Sequence, residues 1–232
     1  MRPVLYQFPH SPYCLPISRA LEALGVGFDV ANVSNGNRAE LIRLTGGAYY
    51  QVPVLKVGDR LVFDSGGDGL DVPRFIDREF GGGRLFPEAL EGLQQILVPH
   101  IENTVEIPVF KLTDIHYIPS IPDLAERLMV IRHKERRFGR GCVDQWRSGQ
   151  DALLAEAVAL LKPFELIVAG QPFLLGATPA YTDFALYGIL ANLTFNGWNP
   201  FPEGLPHLRR WFRCISVHTF PRQVQSPGTA EG

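Results

Sequence analysis

The chain has 232 residues, with 22 Lys and Arg against 24 Asp and Glu, and therefore a formal net charge of -2. A balance so close to neutral lacks the strongly basic face that is typical of nucleic-acid-binding proteins, and it argues against that class. Hydrophobic residues make up 46% of the chain and charged residues 20%, a composition that can bury a sizeable core over one or two domains and excludes intrinsic disorder.

The first part of the chain alternates between strand and helix patterns. Short apolar runs at residues 4–8 and 28–33 predict two strands. A helix is predicted between them, after Pro12 and up to Gly25, and a second, shorter helix is predicted at residues 38–44.

A hairpin and a third helix complete this first unit. Residues 52–57 and 60–63 are β-rich runs that flank Gly58 and Asp59, which is typical of a β-hairpin. A last helix is predicted at residues 67–80. The element order is therefore β-α-β-α-β-β-α.

Three consecutive glycines at residues 81–83 interrupt the chain, and helical periodicity dominates after them. The predicted organisation is a first domain at residues 1–82, a linker at 83–88, an all-helical domain at 89–224 and a disordered tail at 225–232. Helices are predicted at residues 87–103, 123–137, 143–161, 182–193 and 206–217. The three prolines within residues 107–122 are expected to break any single long helix there.

Cysteine and histidine usage indicates a reducing compartment and no metal site. Cys14, Cys142 and Cys214 are widely spaced and odd in number, so they form neither a disulfide framework nor a zinc motif. The six histidines show no metal-ligand spacing. No signal peptide is expected and no apolar run is long enough to span a membrane, so a cytoplasmic protein without membrane contact is predicted.

The turn between the first strand and the first helix carries Ser11, Pro12, Tyr13 and Cys14. A side chain here lies near a helix N-terminus, whose partial positive charge favours anions and lowers the pKa of a thiol. A serine N-cap followed by proline at the first helical position explains the same residues without any chemistry. The residues themselves leave both interpretations open.

Two further motifs lie at the hairpin. Val52 and Pro53 begin a strand, where proline is unusual. A cis bond would turn the preceding backbone outward, to offer its N–H and C=O to an extended ligand, and a trans proline at a strand start is the alternative. Asp64 and Ser65 follow the hairpin. Ser65 is expected to cap the next helix, whose N–H groups either bind a carboxylate or are capped without a ligand.

At these positions the motifs together resemble those of the cytosolic glutathione transferases, over residues 3–222. Residues 11–14 resemble the active-site turn of glutaredoxins and related transferases, with serine in place of the first cysteine. Residues 51–55 resemble the cis-proline strand, residues 64–65 the acidic-plus-serine pair that holds the γ-glutamyl end of glutathione, and residues 176–184 the capping-box segment. The resemblance implies a thioredoxin-like N-terminal domain with a mixed four-stranded sheet, followed by an all-α C-terminal domain.

The resemblance also implies how the site is used. Ser11 would activate the thiol of glutathione, a co-substrate, without any metal. The implied glutathione-binding residues are Gln51, Val52, cis-Pro53, Asp64 and Ser65. Within this set the Val52 backbone would pair with the cysteinyl part, Asp64 and Ser65 would hold the γ-glutamyl end, and Gln51 would reach toward the glycyl end. The implied partners are a small hydrophobic electrophile and a second copy of the chain, in a homodimer.

Two positions depart from the family pattern. The Ser or Thr that usually stands three residues before Asp183 is Ala180 here, so Thr178 or Thr182 would have to supply the missing side-chain half of the capping box. Gln7 occupies the slot of the tyrosine that activates glutathione in some classes. The serine of the first turn is therefore the leading candidate, as in serine-type classes.

The electrophile pocket is expected between the domains. Its candidate residues are Tyr13, Arg137 and Trp146. Residues 132–142 include five basic side chains, which either attract an anionic substrate or form a solvated helix end. This stretch, followed by Trp146, resembles bacterial and fungal transferases related to β-aryl-ether-cleaving enzymes.

The predicted function is a glutathione transferase that activates the glutathione thiolate for attack on a small hydrophobic electrophile, by conjugation or by cleavage of an ether or halide. One alternative is a glutathione-dependent thiol transferase that works through Cys14, although a buried helix residue is the simpler interpretation of that cysteine. Another alternative is a non-catalytic carrier of glutathione or hydrophobic ligands in the interdomain cleft.

Overall fold

The computed structural model describes residues 2–67 and 69–221. These residues form an N-terminal α/β domain followed by a helical domain, so the fold class predicted from the sequence is confirmed. None of the helices in these two stretches is both long and apolar enough to cross a membrane. The predicted tail at residues 225–232 lies outside the described residues.

The N-terminal domain has the predicted element order. Its elements are β1 (Val4–Gln7), α1 (Leu15–Ala23), β2 (Asp29–Asn32), α2 (Ala39–Leu44), β3 (Val54–Val57), β4 (Arg60–Val62) and α3 (Asp71–Ile76). The strand order is β2-β1-β3-β4, with β1 parallel to β2 and antiparallel to β3. Leu5 of β1 pairs with Leu55 of β3, and both side chains are wholly buried in the core.

The topology brings three connections to one edge of the sheet. Because β1 and β4 both run antiparallel to β3, the ends of β1 and β4 lie beside the start of β3. The turn after β1 (residues 8–14), the segment before β3 (residues 51–53) and the start of the loop after β4 (residues 63–67) therefore meet there. All three sequence motifs belong to these connections.

The helical domain consists of α4 (Glu91–His100), α5 (Glu106–Ser120), α6 (Leu124–Phe138), α7 (Cys142–Ser148), α8 (Gln150–Gly170), α9 (Tyr181–Leu193) and α10 (Pro206–Val217). The expectation that prolines break the helix at residues 107–122 is wrong, because α5 occupies most of this stretch. Pro119 lies in the last turn of α5 and Pro122 lies beyond its end, where a helix tolerates proline best. Pro108 lies inside a longer helix, just after the π-helical segment Ile101–Val105.

A π-helical segment, Ile101–Val105, joins α4 directly to α5, so residues 91–120 form one continuous helix. Pro99 lies inside α4, where its ring nitrogen cannot donate a hydrogen bond. Wider π turns occur as single insertions in α-helices, often at functional sites. Near the start of this long helix, Gln94 donates to the Leu85 carbonyl at 3.1 Å and so binds it to the chain that connects the domains.

The helix predicted at residues 143–161 is divided in the structure and runs further. Gly149 separates α7 from α8, and α8 continues past Pro163 to Gly170. Local sequence rules place the end of this helix near residue 161, just before Pro163. In the structure, however, Pro163 does not end the helix.

Asp183 organises the start of α9. Its carboxylate accepts hydrogen bonds from the Leu174 and Ala180 N–H groups, at 2.9 and 3.0 Å, and from Trp211 Nε1 at 2.9 Å. Thr182 does not replace the missing side-chain half of the capping box, since its hydroxyl donates to a glutamine of α4 instead. The Asp183 N–H is bonded to the Ala180 carbonyl oxygen at 2.9 Å.

One hydrophobic core spans both domains. Leu5 of the sheet and Leu21 of α1 belong to the same cluster of buried side chains as Phe184 of α9. Helix α1 packs against α9 at Gly188, where a Cβ atom would lie only 2.6 Å from the Pro12 carbonyl oxygen. The absence of a side chain at this position lets the turn after β1 lie directly against the helical domain.

The segment after α10 packs back on α1. Arg19 is buried in α1 and donates from Nε to the Ile215 carbonyl at 2.9 Å and from Nη2 to the His218 carbonyl. The Phe220 N–H donates to the Ala23 carbonyl at 2.7 Å. These bonds tie the end of the helical domain to the first helix of the chain.

Candidate active site

Ser11 lies in the turn after β1 and is 5% exposed. Its N–H donates to the Phe8 carbonyl at 3.1 Å, and its Oγ accepts the Tyr13 N–H at 3.2 Å. Its carbonyl accepts the N–H groups of Cys14 at 3.1 Å and Leu15 at 3.0 Å. These bonds fix the hydroxyl at the N-terminal end of α1, where the helix dipole favours negative charge.

Cys14 is the N-cap residue of α1, so neither a serine N-cap at Ser11 nor a helical Cys14 is observed. Its side chain is fully buried, in a cluster with Leu41 and Val54. Burial raises the pKa of the Cys14 thiol to about 12, although a hydrogen bond with Ser11 and the charge of Arg38 lower it. The thiol is therefore neutral and closed to solvent, unlike the accessible thiolates that react as nucleophiles.

His10, immediately before the serine, anchors the turn to the helical domain. Its ring centroid lies 4.0 Å from that of Tyr117 and 5.9 Å from that of Trp198. Its carbonyl accepts a hydrogen bond from Asn192 Nδ2 at 2.5 Å. Burial, and then the charge of Lys134, lower the pKa of His10 to about 4, so the ring is neutral at physiological pH.

The segment before β3 lies beside this turn, since Val54 of β3 pairs with Tyr6 of β1. The peptide bond between Val52 and Pro53 is cis. Val52 is 8% exposed, whereas Gln51 is exposed. The side chain of Gln51 is thus free to meet a ligand from solvent, and Val52 contributes mainly its backbone.

The hydrogen bonds of Ser65, in the loop after β4, differ from those expected of a helix cap. Because α3 begins only at Asp71, the prediction that Ser65 caps this helix is wrong. Instead, Asp71 Oδ2 accepts hydrogen bonds from Ser65 N–H at 2.7 Å, Ser65 Oγ at 2.6 Å and Gly66 N–H at 3.3 Å. These bonds, led by that of the Ser65 hydroxyl, lower the pKa of Asp71. Asp64 Oδ1 accepts the Gly67 N–H at 3.1 Å.

Charged side chains on α5 and α6 form a partly buried group beside the turn after β1. Glu106 is 8% exposed and Asp114 is 6% exposed. Lys134 Nζ lies 2.6 Å from Asp114 Oδ2 and 4.7 Å from the ring centroid of Phe110. Glu106, Asp114 and Lys134 are named the charged cluster below.

Tyr13 extends from the turn toward the same helices. Its hydroxyl lies 3.5 Å from the Glu102 carbonyl oxygen. Partial burial and the negative charges of Glu106 and Glu102 raise the pKa of Tyr13, while the charge of Arg137 lowers it. Lys134 of the charged cluster also lowers the pKa of His10.

Of the other two pocket candidates, Arg137 is exposed and stacks over Phe138, with its guanidinium carbon 5.0 Å from the ring centroid. Trp146 is 7% exposed, and its ring lies 5.7 Å from Phe110 and 5.4 Å from Phe138. Trp146 thus packs in an aromatic cluster, and its role in lining the substrate pocket stays a prediction.

Sequence reasoning missed the charged cluster and Asp71. Asp114 lies within residues 107–122, where prolines are expected to break the helix, and Glu106 lies immediately before them, so the sequence assigns neither residue to a buried helix face. One signal was present, because acidic residues in an otherwise apolar stretch are rarely buried without a partner or a function. Lys134 was noticed only as part of a run of basic residues.

Two regions of the chain match known protein families. Residues 4–62 match the family model of glutaredoxin, and residues 142–214 match that of the glutathione S-transferase C-terminal domain. A search of curated proteins gives no match to this sequence.

Solved structures show the same fold over nearly the whole chain. Glutathione transferase GSTFuA2 from Phanerochaete chrysosporium is 18% identical with a TM-score of 0.76, and the alignment covers 95% of this chain and 99% of that one. Glutaredoxin 2 from Salmonella typhimurium, in complex with glutathione, is 20% identical with a TM-score of 0.68, and the alignment covers 92% and 94%. The chain therefore combines a region similar to glutaredoxin with a region similar to the C-terminal domain of glutathione S-transferases, and it has the overall fold of the solved glutathione transferases.

Proposed function

We propose that this protein is a glutathione transferase, which activates the thiol of glutathione at Ser11 for attack on a small hydrophobic electrophile. The observation that carries the proposal is the meeting of three motifs at one edge of the sheet, next to the helical domain. Ser11 lies in the turn after β1, Val52 and Pro53 lie before β3, and Asp64 and Ser65 lie after β4.

Activation of the thiol requires that its ionised form be stabilised. A free thiol of this kind has a pKa of about 8.5, so only a few per cent of it is ionised at neutral pH. A hydrogen bond from the Ser11 hydroxyl and the positive end of α1 both favour the thiolate. Each unit by which they lower its pKa corresponds to about 1.4 kcal/mol.

The remaining contacts of glutathione follow from the same edge. The Val52 backbone would pair with the cysteinyl part, and Gln51 would reach the glycyl end. Asp64 and Ser65 would hold the γ-glutamyl end. The two donors of Ser65 are already bonded to the Asp71 carboxylate, so a ligand carboxylate would have to replace Asp71 there.

A thiol transferase that works through Cys14 is the second candidate, favoured by the match to the glutaredoxin family. Against it stands the full burial of Cys14 and the high pKa of its thiol, which disfavour a redox nucleophile. A cytoplasmic homodimer remains part of the proposal. The exposed apolar side chains of Leu93 and Ile96 on α4 offer a surface that such a dimer would cover.

The test is a calorimetric titration of glutathione into the protein, with ultraviolet absorbance of the bound thiolate recorded across pH. Wild-type protein should bind glutathione with a thiol pKa well below the free value. Ser11→Ala should remove this shift, and conjugation should fall by about tenfold or more. Cys14→Ala, a matched change in the same turn, should retain both properties.

The outcomes separate the candidates. Retained thiol ionisation in Ser11→Ala would contradict the role of Ser11. Loss of all activity in Cys14→Ala alone would favour the thiol transferase. Binding without any lowering of the thiol pKa would favour a carrier, and absence of binding would contradict the proposal as a whole.

A further inference from the structure

Asn192 of α9 is a buried amide that donates a hydrogen bond to the turn that carries Ser11. The residue is 2% exposed, and its Nδ2 lies 2.5 Å from the His10 carbonyl oxygen. Of the side chains that the structure describes in the helical domain, it is the one that donates to the backbone of this turn. The acceptor belongs to the peptide unit that joins His10 to Ser11, so the bond acts on the backbone directly before the serine.

The orientation of this amide is determined by its two partners. Thr113 of α5 is 1% exposed, and its hydroxyl lies 2.9 Å from Asn192 Oδ1, the shortest of the hydrogen-bond distances of that hydroxyl. A hydroxyl group can donate to Oδ1, whereas the carbonyl of His10 can only accept. The reverse orientation of the amide would bring two oxygen atoms to 2.5 Å, so Nδ2 must face the turn.

A second residue of α9 meets the same turn. Gly188 lies four residues before Asn192 and therefore on the same face of the helix. A Cβ atom at Gly188 would lie 2.6 Å from the Pro12 carbonyl oxygen. The two carbonyl groups beside which α9 lies are thus those of the residues directly before and directly after Ser11. This face of α9 fixes the backbone on both sides of the serine.

The energetics of the Thr113–Asn192 pair favour a role beyond packing. An amide that is taken out of water costs free energy unless hydrogen bonds replace its contacts with water. An apolar side chain of similar size would fill the same space between α5 and α9 without this cost. What an apolar side chain lacks is a donor directed at the His10 carbonyl.

We propose that Asn192 is a positioning residue for Ser11, and that Thr113 holds the amide of Asn192 in the orientation that this requires. The inference rests on the proposed function. The bond to His10 fixes the peptide unit before the serine, and the Tyr13 N–H binds the serine Oγ at 3.2 Å. Together these bonds hold the hydroxyl in one place, from which it can donate to the sulfur of bound glutathione. Without the amide the peptide unit gains freedom, and small displacements of a catalytic group lower the rate steeply.

The test uses Asn192→Ala, which removes the amide without adding volume. The pKa of the bound glutathione thiol, followed by its ultraviolet absorbance, should return toward the free value of about 8.5. With chlorodinitrobenzene as electrophile, kcat should fall about tenfold at about pH 6.5 and recover to within about threefold of wild type at about pH 9.5, where the thiol ionises without help. KM for glutathione should stay within about threefold of wild type, because Asn192 acts on the serine and not on the ends of the peptide.

Gln94→Ala is the matched control. Gln94 is also a fully buried amide that donates to a backbone carbonyl, that of Leu85 at 3.1 Å, but this acceptor lies in the connection between the domains and not in the turn. Both variants should unfold at a lower urea concentration than wild type, and only Asn192→Ala should raise the thiol pKa. The same thiol pKa and pH profile in the two variants would overturn the role of Asn192.

Thr113 offers a second pair of variants that leave the amide in place, in case Asn192→Ala does not fold. Thr113→Val removes the hydroxyl that orients the amide and should raise the pKa of the bound thiol, whereas Thr113→Ser keeps the hydroxyl and should behave as wild type. Identical thiol pKa values in these two variants would overturn the proposal and leave the proposed function intact. Wild-type protein that binds glutathione without lowering the pKa of its thiol would overturn both.

Discussion

Two buried carboxylates of the helical domain, Asp183 and Glu106, have opposite environments. Asp183 accepts hydrogen bonds from two backbone N–H groups and one indole N–H. For Glu106 the main influences besides burial are the charges of Lys134 and Asp114, and no described residue donates a hydrogen bond to its carboxylate. Burial raises the pKa of Asp183 to about 6 and that of Glu106 to about 7. The pKa direction alone therefore does not distinguish a carboxylate that is held by fixed donors from one that is not.

Other buried acidic residues follow the pattern of Asp183. Asp77 accepts the N–H groups of Leu85 and Phe86, each at 3.0 Å, and thereby holds the connection between the domains. Glu165 of α8 likewise accepts two N–H groups at the start of α10. Carboxylates bonded to backbone donors in this way fix the geometry of the fold, and they are not free to exchange protons with a substrate.

The largest effect is expected for Asp183→Ala. If the fold did not need Asp183, the comparison between carboxylates with and without fixed donors would fail. Three buried donors would lose their acceptor, so the free energy of unfolding should fall by about 3–5 kcal/mol. Urea unfolding measures this change in the free energy of unfolding. Asp151→Ala, at an exposed position of α8, should change the free energy by less than about 0.5 kcal/mol. Similar losses in the two variants would contradict the structural role.

Lys134→Met should come next. It removes the partner of the buried Asp114, and because the side chain of Lys134 is 22% exposed, a loss of about 2–3 kcal/mol is expected in urea unfolding. Lys134 lowers the pKa of Glu106, so the pKa of Glu106 should also rise in this variant, which an NMR titration of the glutamate side chains measures. An unchanged pKa would show that Lys134 does not act on Glu106. Lys111→Met is the matched control on α5, since the effect of Lys111 on Glu106 is smaller.

Glu106→Gln sharpens the comparison, because this variant should raise the free energy of unfolding, whereas Asp183→Ala should lower it. The folded-state pKa of Glu106 is raised from 4.5 to about 7, so its ionisation disfavours the fold. Stability from this group is present below about pH 4.5 and is lost as pH rises through about 7. The glutamine variant should be about 1–2 kcal/mol more stable than wild type at pH 8 and equal to it near pH 4. Lower stability of the variant at pH 8 would show that Glu106 is structural.

The smallest effect concerns Asp71, an acidic residue with fixed donors on the surface rather than in the core. Asp71→Asn should weaken the hold on Ser65 and reduce competition with the ligand carboxylate, so glutathione should bind about threefold to tenfold more tightly by calorimetry. Asp59→Asn, in the exposed hairpin turn, should bind glutathione as wild type does. Weaker binding by Asp71→Asn would mean that Asp71 organises the loop for the ligand.

Local patterns in the sequence were sufficient for the N-terminal domain. The strands, the hairpin turn at Gly58 and the helix up to Gly25 depend on neighbours along the chain, and the predicted order is observed. The meeting of the three motifs at one sheet edge also followed, because strand order and direction determine which loops are neighbours.

The parts that failed depend on distant residues. Proline rules predicted a break within residues 107–122, yet the helix continues through Pro108, just after a π-helical segment, and Pro119 lies in the last turn of α5. Ser65 was expected to cap α3, but Asp71 takes its donors, and that pairing follows from how the loop folds back. The ion pair of Asp114 and Lys134 joins two helices whose relative placement no local pattern specifies.

The tie between α1 and the segment after α10 has a kinetic consequence. Arg19 bonds to carbonyls 196 and 199 residues further along the chain, so these contacts close almost the largest loop that the described chain allows. Contacts of high sequence separation form late and slow folding, because the entropy of loop closure must be overcome first. The packing of α1 against these acceptors cannot form before residues 215–218 have been synthesised. We expect the two domains to refold in a single concerted transition rather than one after the other.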